Sequence, residues 1–354
     1  MPDKTLVIRA DASAEIGAGH VMRCIALAQA WQQTGARTIF AQAEGGEFEA
    51  RIRSEGGQTA RIHAKPGSSE DAAQVLKLCN GLKADWLVID GYHFSADYCR
   101  SLESDSFRLL LIGDDPMRQL SKCDVVLNPD PDASLSAYPQ HDGRIQFLLG
   151  SQYALLRREF LDFSIGRSNV PEKARRVLIT FGGSDPRNIT LHVLRALDAI
   201  NDLELEVTLA VGAGYQHLSS LQAAAGRSSH IDRLLCDVRN MPDLMANVDL
   251  AIKAGGGTCY ELAFMRVPMF IITTAENQER AARAFGAAAA AVDAGWFSSL
   301  ETAALVARLR DLICDQDLRR KLVENAAHMV DGKGAGRVVE TMLAISRGSQ
   351  QVIA

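Results

Sequence analysis

Cysteines are few in this sequence and follow no pattern. The seven of them are scattered over 354 residues, no two form a Cys-x-x-Cys pair, and no spacing matches a zinc site. Their odd number does not suit the paired framework of a small secreted scaffold. We therefore expect buried free thiols in a protein of a reducing compartment, with no metal site.

Long apolar runs and an excess of positive charge are also missing. No stretch approaches the ~18 apolar residues of a membrane span, and the first residues lack the shape of a signal peptide. The chain has 38 Lys and Arg residues and 43 Asp and Glu residues. It therefore lacks the excess of positive charge with which nucleic-acid-binding proteins attract a phosphate backbone. We expect a cytoplasmic monomer that binds neither membranes nor nucleic acids.

The length suggests two domains, and strand patterns alternate with helical patterns along almost the whole chain. A polar, proline-containing stretch at 166–173 is the best linker. We expect two Rossmann-like α/β domains with parallel sheets, residues 1–165 and residues 166–354, and a ligand in the cleft where the carboxyl ends of both sheets face each other. The clearest strand patterns cover residues 5–9, 38–43, 86–90, 109–113, 124–128, 176–180, 205–211, 249–253 and 269–273.

Three junctions between a strand and a helix are rich in glycine. Glycine lets a backbone approach an anion closely, and the start of a helix offers free N–H groups. One such junction is often only a tight turn, but three in one chain favour a phosphorylated ligand. The junctions contain Gly17 and Gly19, then Gly182, Gly183, Ser184 and Asp185, and finally Gly255, Gly256, Gly257 and Thr258.

Two common phosphate-binding motifs do not fit these junctions. The dinucleotide fingerprint requires a third glycine where this chain has Met22, so a dehydrogenase is disfavoured. A P-loop requires Gly-Lys-Ser/Thr, which follows none of the glycine runs.

His20 is the best candidate for acid–base chemistry. It starts the first long helix, where the helix dipole disfavours the imidazolium and therefore favours the neutral form that a general base requires. Arg23 shares its helix face and is positioned to meet substrate oxygens. A histidine that only hydrogen-bonds near a helix end and a surface arginine are the alternatives. A metal shared by His20 and Cys24 is rejected because no third ligand is near.

Carboxylates after other strands are further candidates. Glu261 lies just inside the helix after the third glycine junction, where it can accept hydrogen bonds from ribose hydroxyls or complement the helix dipole. Asp114 and Asp115 end a strand beside the expected cleft. Asp130-Pro131-Asp132 imitates the metal-binding motif of some glycosyltransferases, but its prolines favour a polar turn.

With these residues together, the chain resembles the nucleotide-sugar hydrolases of pseudaminic acid biosynthesis, which are related to the MurG-type glycosyltransferases of the GT-B fold. The resemblance keeps its order over nearly the full chain. The matching stretches are Arg9-x-Asp11, Ile16-Gly17-x-Gly19-His20-x-x-Arg23-Cys24, Ile89-Asp90-x-Tyr92, Asp114-Asp115, Leu127-Asn128-Pro129, Gly150-x-x-Tyr153-Ala154-Leu155-Leu156-Arg157-x-x-Phe160, Phe181-Gly182-Gly183-Ser184-Asp185, Ala254-Gly255-Gly256, Glu261 and Asn277-Gln278.

The resemblance implies a GT-B-like fold, with UDP bound by the C-terminal domain and the sugar facing the N-terminal domain. It implies hydrolysis of UDP-2,4-diacetamido-2,4,6-trideoxy-β-L-altropyranose to UDP and the free sugar, with His20 as the catalytic residue and no cofactor. Asp11 is expected to orient the attacking water or the histidine. Besides the glycine junctions, the expected substrate contacts are Arg9, Arg23, Tyr92, Asp114, Tyr153, Arg157, Glu261, Asn277 and Gln278.

The sequence departs from the resemblance at one position and leaves two other functions open. Some relatives have an asparagine just before the glutamate that matches Glu261, whereas this chain has Tyr260. A GT-B glycosyltransferase would use the same UDP-sugar with a sugar or lipid acceptor, although the first half shows no obvious membrane-facing patch. A non-catalytic nucleotide-sugar-binding protein would bind the UDP-sugar without turnover.

Overall fold

A computed structural model describes residues 4–12, 17–43, 46–113, 123–138, 143–163 and 170–350 of the chain, with the backbone alone at 46–47 and 348–350. The predicted contact Asp114 and its neighbour Asp115 lie outside the described residues. The chain divides into two compact units, residues 1–158 with 332–354, and residues 159–331. Each unit is built on one parallel sheet, which confirms the predicted fold class.

The first unit has a seven-stranded parallel sheet in the order β3-β2-β1-β4-β5-β6-β7. Its strands are β1 (Thr5–Ala10), β2 (Arg37–Gln42), β3 (Gln58–Arg61), β4 (Trp86–Asp90), β5 (Arg108–Ile112), β6 (Val125–Asn128) and β7 (Gln146–Leu149). Its helices are α1 (Gly19–Gln32), α2 (Gly46–Ser54), α3 (Ser69–Leu82), α4 (Ala96–Ser101) and α13 (Gly334–Gln350), while α5 (Arg158–Leu161) begins where this unit ends along the chain.

Helices cover both faces of this sheet, so its central strands are mostly apolar, apart from charged residues such as Arg9 and Asp90 near their carboxyl ends. Leu6 and Ile8 of β1 pack into the core on one face, whereas Val7 packs into the core on the other. In the pairing of β1 with β4, Ala10 lies opposite Asp90. The residues that follow β1 and those that end β4 are therefore neighbours at the carboxyl edge of the sheet.

The second unit has a six-stranded parallel sheet in the order β10-β9-β8-β11-β12-β13. Its strands are β8 (Arg176–Thr180), β9 (Glu206–Val211), β10 (Ile231–Cys236), β11 (Leu250–Ala254), β12 (Met269–Thr273) and β13 (Val292–Trp296). Its helices are α6 (Ile189–Asp198), α7 (Leu218–Ala225), α8 (Met241–Ala246), α9 (Thr258–Phe264), α10 (Glu276–Ala287), α11 (Thr302–Cys314) and α12 (Gln316–Met329). Lys253 of β11 lies opposite Thr180 of β8, so the second and third glycine junctions follow adjacent strands.

The last helix differs from the predicted division at 165/166. Helix α13 belongs to the first unit, because Val338, Val339 and Met342 are buried in the core on the α1 side of the first sheet. The indole Nε1 of Trp86 donates a 3.0 Å hydrogen bond to Ser346 Oγ, which ties α13 to β4. The expected C-terminal domain of residues 166–354 therefore does not include α13, which belongs to the first unit.

Two further observations concern the described residues as a whole. None of their helices combines the length and the hydrophobicity that a membrane span needs. Their His, Cys, Asp and Glu side chains form no group of three or more able to hold a metal ion.

Gly334 is required by the close packing of α13. A Cβ atom at this position would lie 2.2 Å from Ala154 O and 2.6 Å from Tyr153 C, and both of these are backbone atoms that cannot rotate away. Gly334→Ala is therefore expected to lower the free energy of unfolding by about 1–3 kcal/mol in chemical denaturation. Gly336→Ala is the matched control, because a Cβ there meets nothing within 4 Å and alanine favours the helix. Equal stability of the two variants would contradict this account.

Candidate active site at the carboxyl edge of the first sheet

The buried carboxylate of Asp90, at the end of β4, contacts three side chains from one turn of α1. His20 Nδ1 lies 2.7 Å from Asp90 Oδ1. Arg23 donates from Nε to Oδ2 at 2.6 Å and from Nη2 to Oδ1 at 2.5 Å. Cys24 Sγ donates to Oδ2 at 3.4 Å. Helical spacing of three and four residues brings these groups to one face of α1.

Charge keeps Asp90 ionised in spite of its burial. Burial alone would raise the pKa of Asp90, but the charge of Arg23 and the adjacent His20 outweigh it and hold this pKa well below its usual range. Burial acts to lower the pKa of Arg23, and the charge of Asp90 overcomes this and raises it. For Cys24, burial and then the charge of Asp90 raise the pKa well above the usual value, so the side chain stays a thiol.

The ionised carboxylate determines which nitrogen of His20 carries the proton. The 2.7 Å contact with the carboxylate of Asp90, which can only accept hydrogen bonds, favours the tautomer that carries its proton on Nδ1, although Arg23 Nη2 also lies 3.2 Å from this nitrogen. In the neutral imidazole, Nε2 therefore has a free lone pair. The ring of Tyr92, which is 49% exposed, meets the His20 ring edge-on at 5.0 Å between centroids. An oriented base thus lies beside an accessible aromatic side chain.

Asp11, which we expected to orient His20 or a water, takes part in a different buried cluster. Its carboxylate accepts a hydrogen bond from Ala43 N at 2.9 Å and lies 2.6 Å from Arg9 Nη1. His93 Nε2 lies 3.3 Å from Asp11 Oδ2. The carboxylate that contacts the His20 ring nitrogen is instead that of Asp90.

Arg9 is the centre of this second cluster and is completely buried. Its guanidinium donates from Nε and Nη2 to the two carboxylate oxygens of Asp71, at 3.0 and 2.8 Å, and from Nη1 to Ala41 O at 3.2 Å. The guanidinium also lies 4.9 Å from the centre of the Phe94 ring. These contacts hold β1, β2 and α3 together, so Arg9 has a role in the fold, and the substrate contact expected of it stays a prediction.

The first glycine junction is open in the structure. Gly17 adopts a φ of +78°, which favours glycine, and a Cβ at Gly17 or Gly19 would meet nothing within 4 Å. Ala18, the N-cap residue of α1, makes no side-chain capping hydrogen bond. The start of a helix offers N–H groups that suit an anionic ligand.

The second glycine junction is open at its glycines but closed at Asp185. A Cβ at Gly182 or Gly183 would meet nothing within 4 Å, and Ser184 beside them is half-buried. The buried carboxylate of Asp185 accepts hydrogen bonds from Ile189 N at 2.9 Å and from Thr190 N at 2.8 Å. Asp185 therefore caps the start of α6, and the substrate contact expected of it stays a prediction.

The third glycine junction contains one packing glycine and two open ones. A Cβ at Gly255 would lie 2.5 Å from Gln278 O, so glycine is needed there for a close backbone approach. Gly256 and Gly257 have open space around them, and the half-buried Thr258 starts α9 without a side-chain cap. Beneath these residues, the side chain of Lys253 is buried in the second unit.

The other residues of the second unit that we expect to contact the substrate differ in their burial and in their hydrogen-bond partners. Glu261 is half-buried in the first turn of α9, and Asn277 is exposed on α10. Gln278 Oε1 accepts hydrogen bonds from Thr274 N and Oγ1 at 3.0 and 2.9 Å. Tyr260, the departure from the family pattern, is buried and packs edge-on against Phe285 at 5.4 Å. Tyr260 is thus a core residue of the second unit.

Tyr153 and Arg157 lie in the segment that receives α13. Tyr153 packs partly buried against the core of the first unit, and its backbone touches Gly334. Arg157 is buried as well. Packing against α13 is therefore one role of this segment. The substrate contacts expected of Tyr153 and Arg157 stay predictions.

Asp90 and Lys253 are two charged residues whose roles are not predictable from motifs in the sequence. Each is a charged residue at or near the end of an otherwise apolar strand, WLVID for β4 and LAIKA for β11. A charged residue in such a strand is the sequence feature that indicates a role, because a buried charge is costly unless it is paired with an opposite charge or binds a ligand.

Comparisons with known proteins agree with this fold. No protein-family profile matches the chain. Spore coat polysaccharide biosynthesis protein SpsG of Bacillus subtilis is 25% identical over 338 residues, which cover 94% of this chain and 95% of SpsG. The UDP-2,4-diacetamido-2,4,6-trideoxy-beta-L-altropyranose hydrolase of Campylobacter jejuni is 26% identical over 78% of this chain and 94% of its own. The uncharacterized protein MJ1062 of Methanocaldococcus jannaschii is 27% identical over 77% of this chain, which spans only 56% of that protein.

Solved structures of glycosyltransferases share this fold. MurG of Acinetobacter baumannii has a TM-score of 0.70 at 16% identity, covering 96% of this chain and 99% of MurG. The spinosyn rhamnosyltransferase SpnG complexed with thymidine diphosphate has a TM-score of 0.65 at 18% identity, covering 95% of this chain and all of SpnG (100%). The chain therefore has a GT-B-like fold and is a distant homologue of the altropyranose hydrolase and of SpsG.

Removing the charge of Asp90 tests the Asp90 cluster. Asp90→Asn leaves Arg23 without its counter-charge, and we expect a loss of roughly 2–3 kcal/mol in the free energy of unfolding at pH 7, less than for a fully buried pair because Arg23 keeps some solvent contact. Since the pKa of Asp90 is lowered in the folded state, this difference is present above the unfolded carboxyl pKa of about 3.9 and shrinks as the pH falls below it.

Asp202→Asn is the matched control for this measurement. Asp202 pairs with Arg310 at 2.5 Å on the surface, where such pairs contribute little to stability. Denaturant titrations of both variants at pH 7 and at pH 3 give the comparison. Equal stabilities of the two variants at pH 7 would show that the Asp90 cluster does not hold the site together.

Proposed function

We propose that the chain hydrolyses UDP-2,4-diacetamido-2,4,6-trideoxy-β-L-altropyranose to UDP and the free sugar, with His20 as the general base. The observation that carries the proposal is the contact of His20 Nδ1 with the ionised Asp90, which leaves Nε2 free to accept a proton. The distant similarity to the hydrolase of Campylobacter jejuni supports the choice of substrate.

His20 supplies the proton transfer in this mechanism. Its Nε2 takes a proton from a water molecule as the water oxygen bonds to C1 of the sugar. The bond between C1 and the diphosphate oxygen breaks, and UDP leaves with the electron pair. Asp90 stabilises the imidazolium that forms, which then returns its proton to solvent. A single displacement inverts the configuration at C1.

Departure of UDP needs charge stabilisation more than a proton, and the second unit supplies it in this proposal. The open glycines Gly182, Gly183, Gly256 and Gly257 let backbone N–H groups reach the diphosphate. Glu261 is proposed to accept hydrogen bonds from the ribose. Because these groups suffice, we expect turnover to continue in the presence of a chelator.

The first unit contributes the sugar contacts in this proposal. Tyr92 offers an exposed aromatic face beside His20, and Arg23 keeps 27% of its side chain exposed while it pairs with Asp90. Gly17 and Gly19 leave the backbone before His20 accessible. Asn277 and Gln278 in the second unit remain predicted contacts.

A glycosyltransferase is the second candidate, because MurG and SpnG share the fold. The same base would then deprotonate an acceptor hydroxyl instead of water. Phosphorus NMR of the protein with the UDP-sugar and chelator, without any acceptor, separates the two functions. Release of UDP with free sugar of inverted configuration supports hydrolysis. An intact UDP-sugar whose signals shift on binding would favour the transferase or a non-catalytic binding protein.

His20→Ala is expected to lower kcat by about 10²–10⁴ while the melting temperature changes little, since the variant loses the base but keeps the Asp90–Arg23 pair. His63→Ala is the matched control, because His63 is an exposed histidine of the same unit. Initial rates of UDP release give kcat for both variants. Turnover of His20→Ala at the wild-type rate would remove His20 from the mechanism.

A further inference from the structure

Lys253 is a buried cation that the proposed mechanism leaves without a role. Its side chain is 2% exposed, and its ammonium donates to Gly256 O at 3.1 Å and to Cys259 Sγ at 3.1 Å. No carboxylate pairs with this ammonium in the described part of the second unit. A buried ammonium with only uncharged partners is costly, and a bound ligand that carries negative charge would offset this cost.

Gly256 O accepts hydrogen bonds from both Lys253 Nζ at 3.1 Å and Cys259 N at 2.9 Å, and these two donors together set the direction of the neighbouring peptide group. In a trans peptide the C=O and the following N–H point to opposite sides. Because Gly256 O is directed at Lys253, the N–H of Gly257 is directed away from Lys253. A Cβ at Gly256 or Gly257 would meet nothing within 4 Å and Gly257 is exposed, so there is room for a ligand beside these two residues.

The position of Lys253 in the sheet brings its charge near a second open junction. Lys253 lies opposite Thr180, and the chain continues from Thr180 through Phe181 to the open glycines Gly182 and Gly183. Strands β8 and β11 are adjacent in the middle of the sheet. Lys253 therefore lies near the carboxyl edge of the second sheet, where β8 and β11 lead into two junctions whose glycines are accessible.

We propose that Lys253 is a positioning residue for the diphosphate of the bound nucleotide. It holds the peptide group between Gly256 and Gly257 together with Cys259 N, and its charge attracts the diphosphate through the glycine junction. The bound diphosphate in turn supplies the negative charge that the ammonium lacks. The inference rests on the proposed function for the identity of the ligand, a uridine diphosphate group, but it names a residue that the mechanism above does not use.

The test compares ligands that differ only in the diphosphate. UDP binding is measured by calorimetry and uridine binding by NMR titration, for the wild type and for Lys253→Met. We expect the variant to bind UDP at least about tenfold more weakly and to bind uridine within about twofold of the wild type, because only UDP carries the charges that the ammonium attracts. Lys321→Met is the matched control, since it removes an exposed lysine of the same unit.

A second variant covers the case in which Lys253→Met does not fold. Lys253→Gln retains a donor for Gly256 O but removes the charge, and the same selective loss of UDP affinity is expected. Unchanged UDP affinity in a folded Lys253 variant would overturn the inference while leaving the proposed function standing. An equal loss of UDP and uridine affinity would also overturn it, since that result indicates a structural role alone. Absence of UDP binding by the wild type would instead refute the proposed function and the inference with it.

Discussion

The ion pair and hydrogen bonds of Asp90 are the interaction on which the candidate site depends. Asp90 ends β4 beside the end of β1, and helix α1, which follows β1, therefore starts next to its carboxylate. One buried negative charge then fixes His20 by one ring nitrogen and Arg23 by two donors. The orientation of the histidine is thus a consequence of strand order, and it does not require the expected help of Asp11.

The two units place a buried charge at the same topological position. In the order of the first sheet β4 follows β1, and in the order of the second sheet β11 follows β8. In open α/β sheets, ligands bind at the carboxyl ends of the strands on either side of such a reversal. Asp90 occupies this position with an anion that orients a base, and Lys253 occupies it with a cation suited to a phosphorylated ligand.

The sequence allowed prediction of the central strands but not of the edges. Strands such as β1 and β8 are buried on both faces and appear as apolar runs, whereas the four strands without a clear pattern, β3, β7, β10 and β13, are the edge strands of the two sheets. The glycine junctions were likewise predictable from local sequence. The partners of Arg9 and Asp11 were not, because they are chosen by tertiary contacts with Asp71 and Ala43, whereas Asp185 caps α6 through residues only four and five positions along the chain. The attachment of α13 to the first unit also depends on such contacts, including the close approach of Gly334 to Ala154.

The most direct test of the account is the protonation state of the His20 ring. Long-range ¹⁵N–¹H NMR of the imidazole side chains, with the His20 signals assigned by their loss in His20→Ala, reports which nitrogen carries the proton in the neutral form. The account predicts a proton on Nδ1, held by Asp90, and an unprotonated Nε2. A neutral ring with the proton on Nε2 would contradict it, because His20 would then have no lone pair on that nitrogen with which to accept a proton from water.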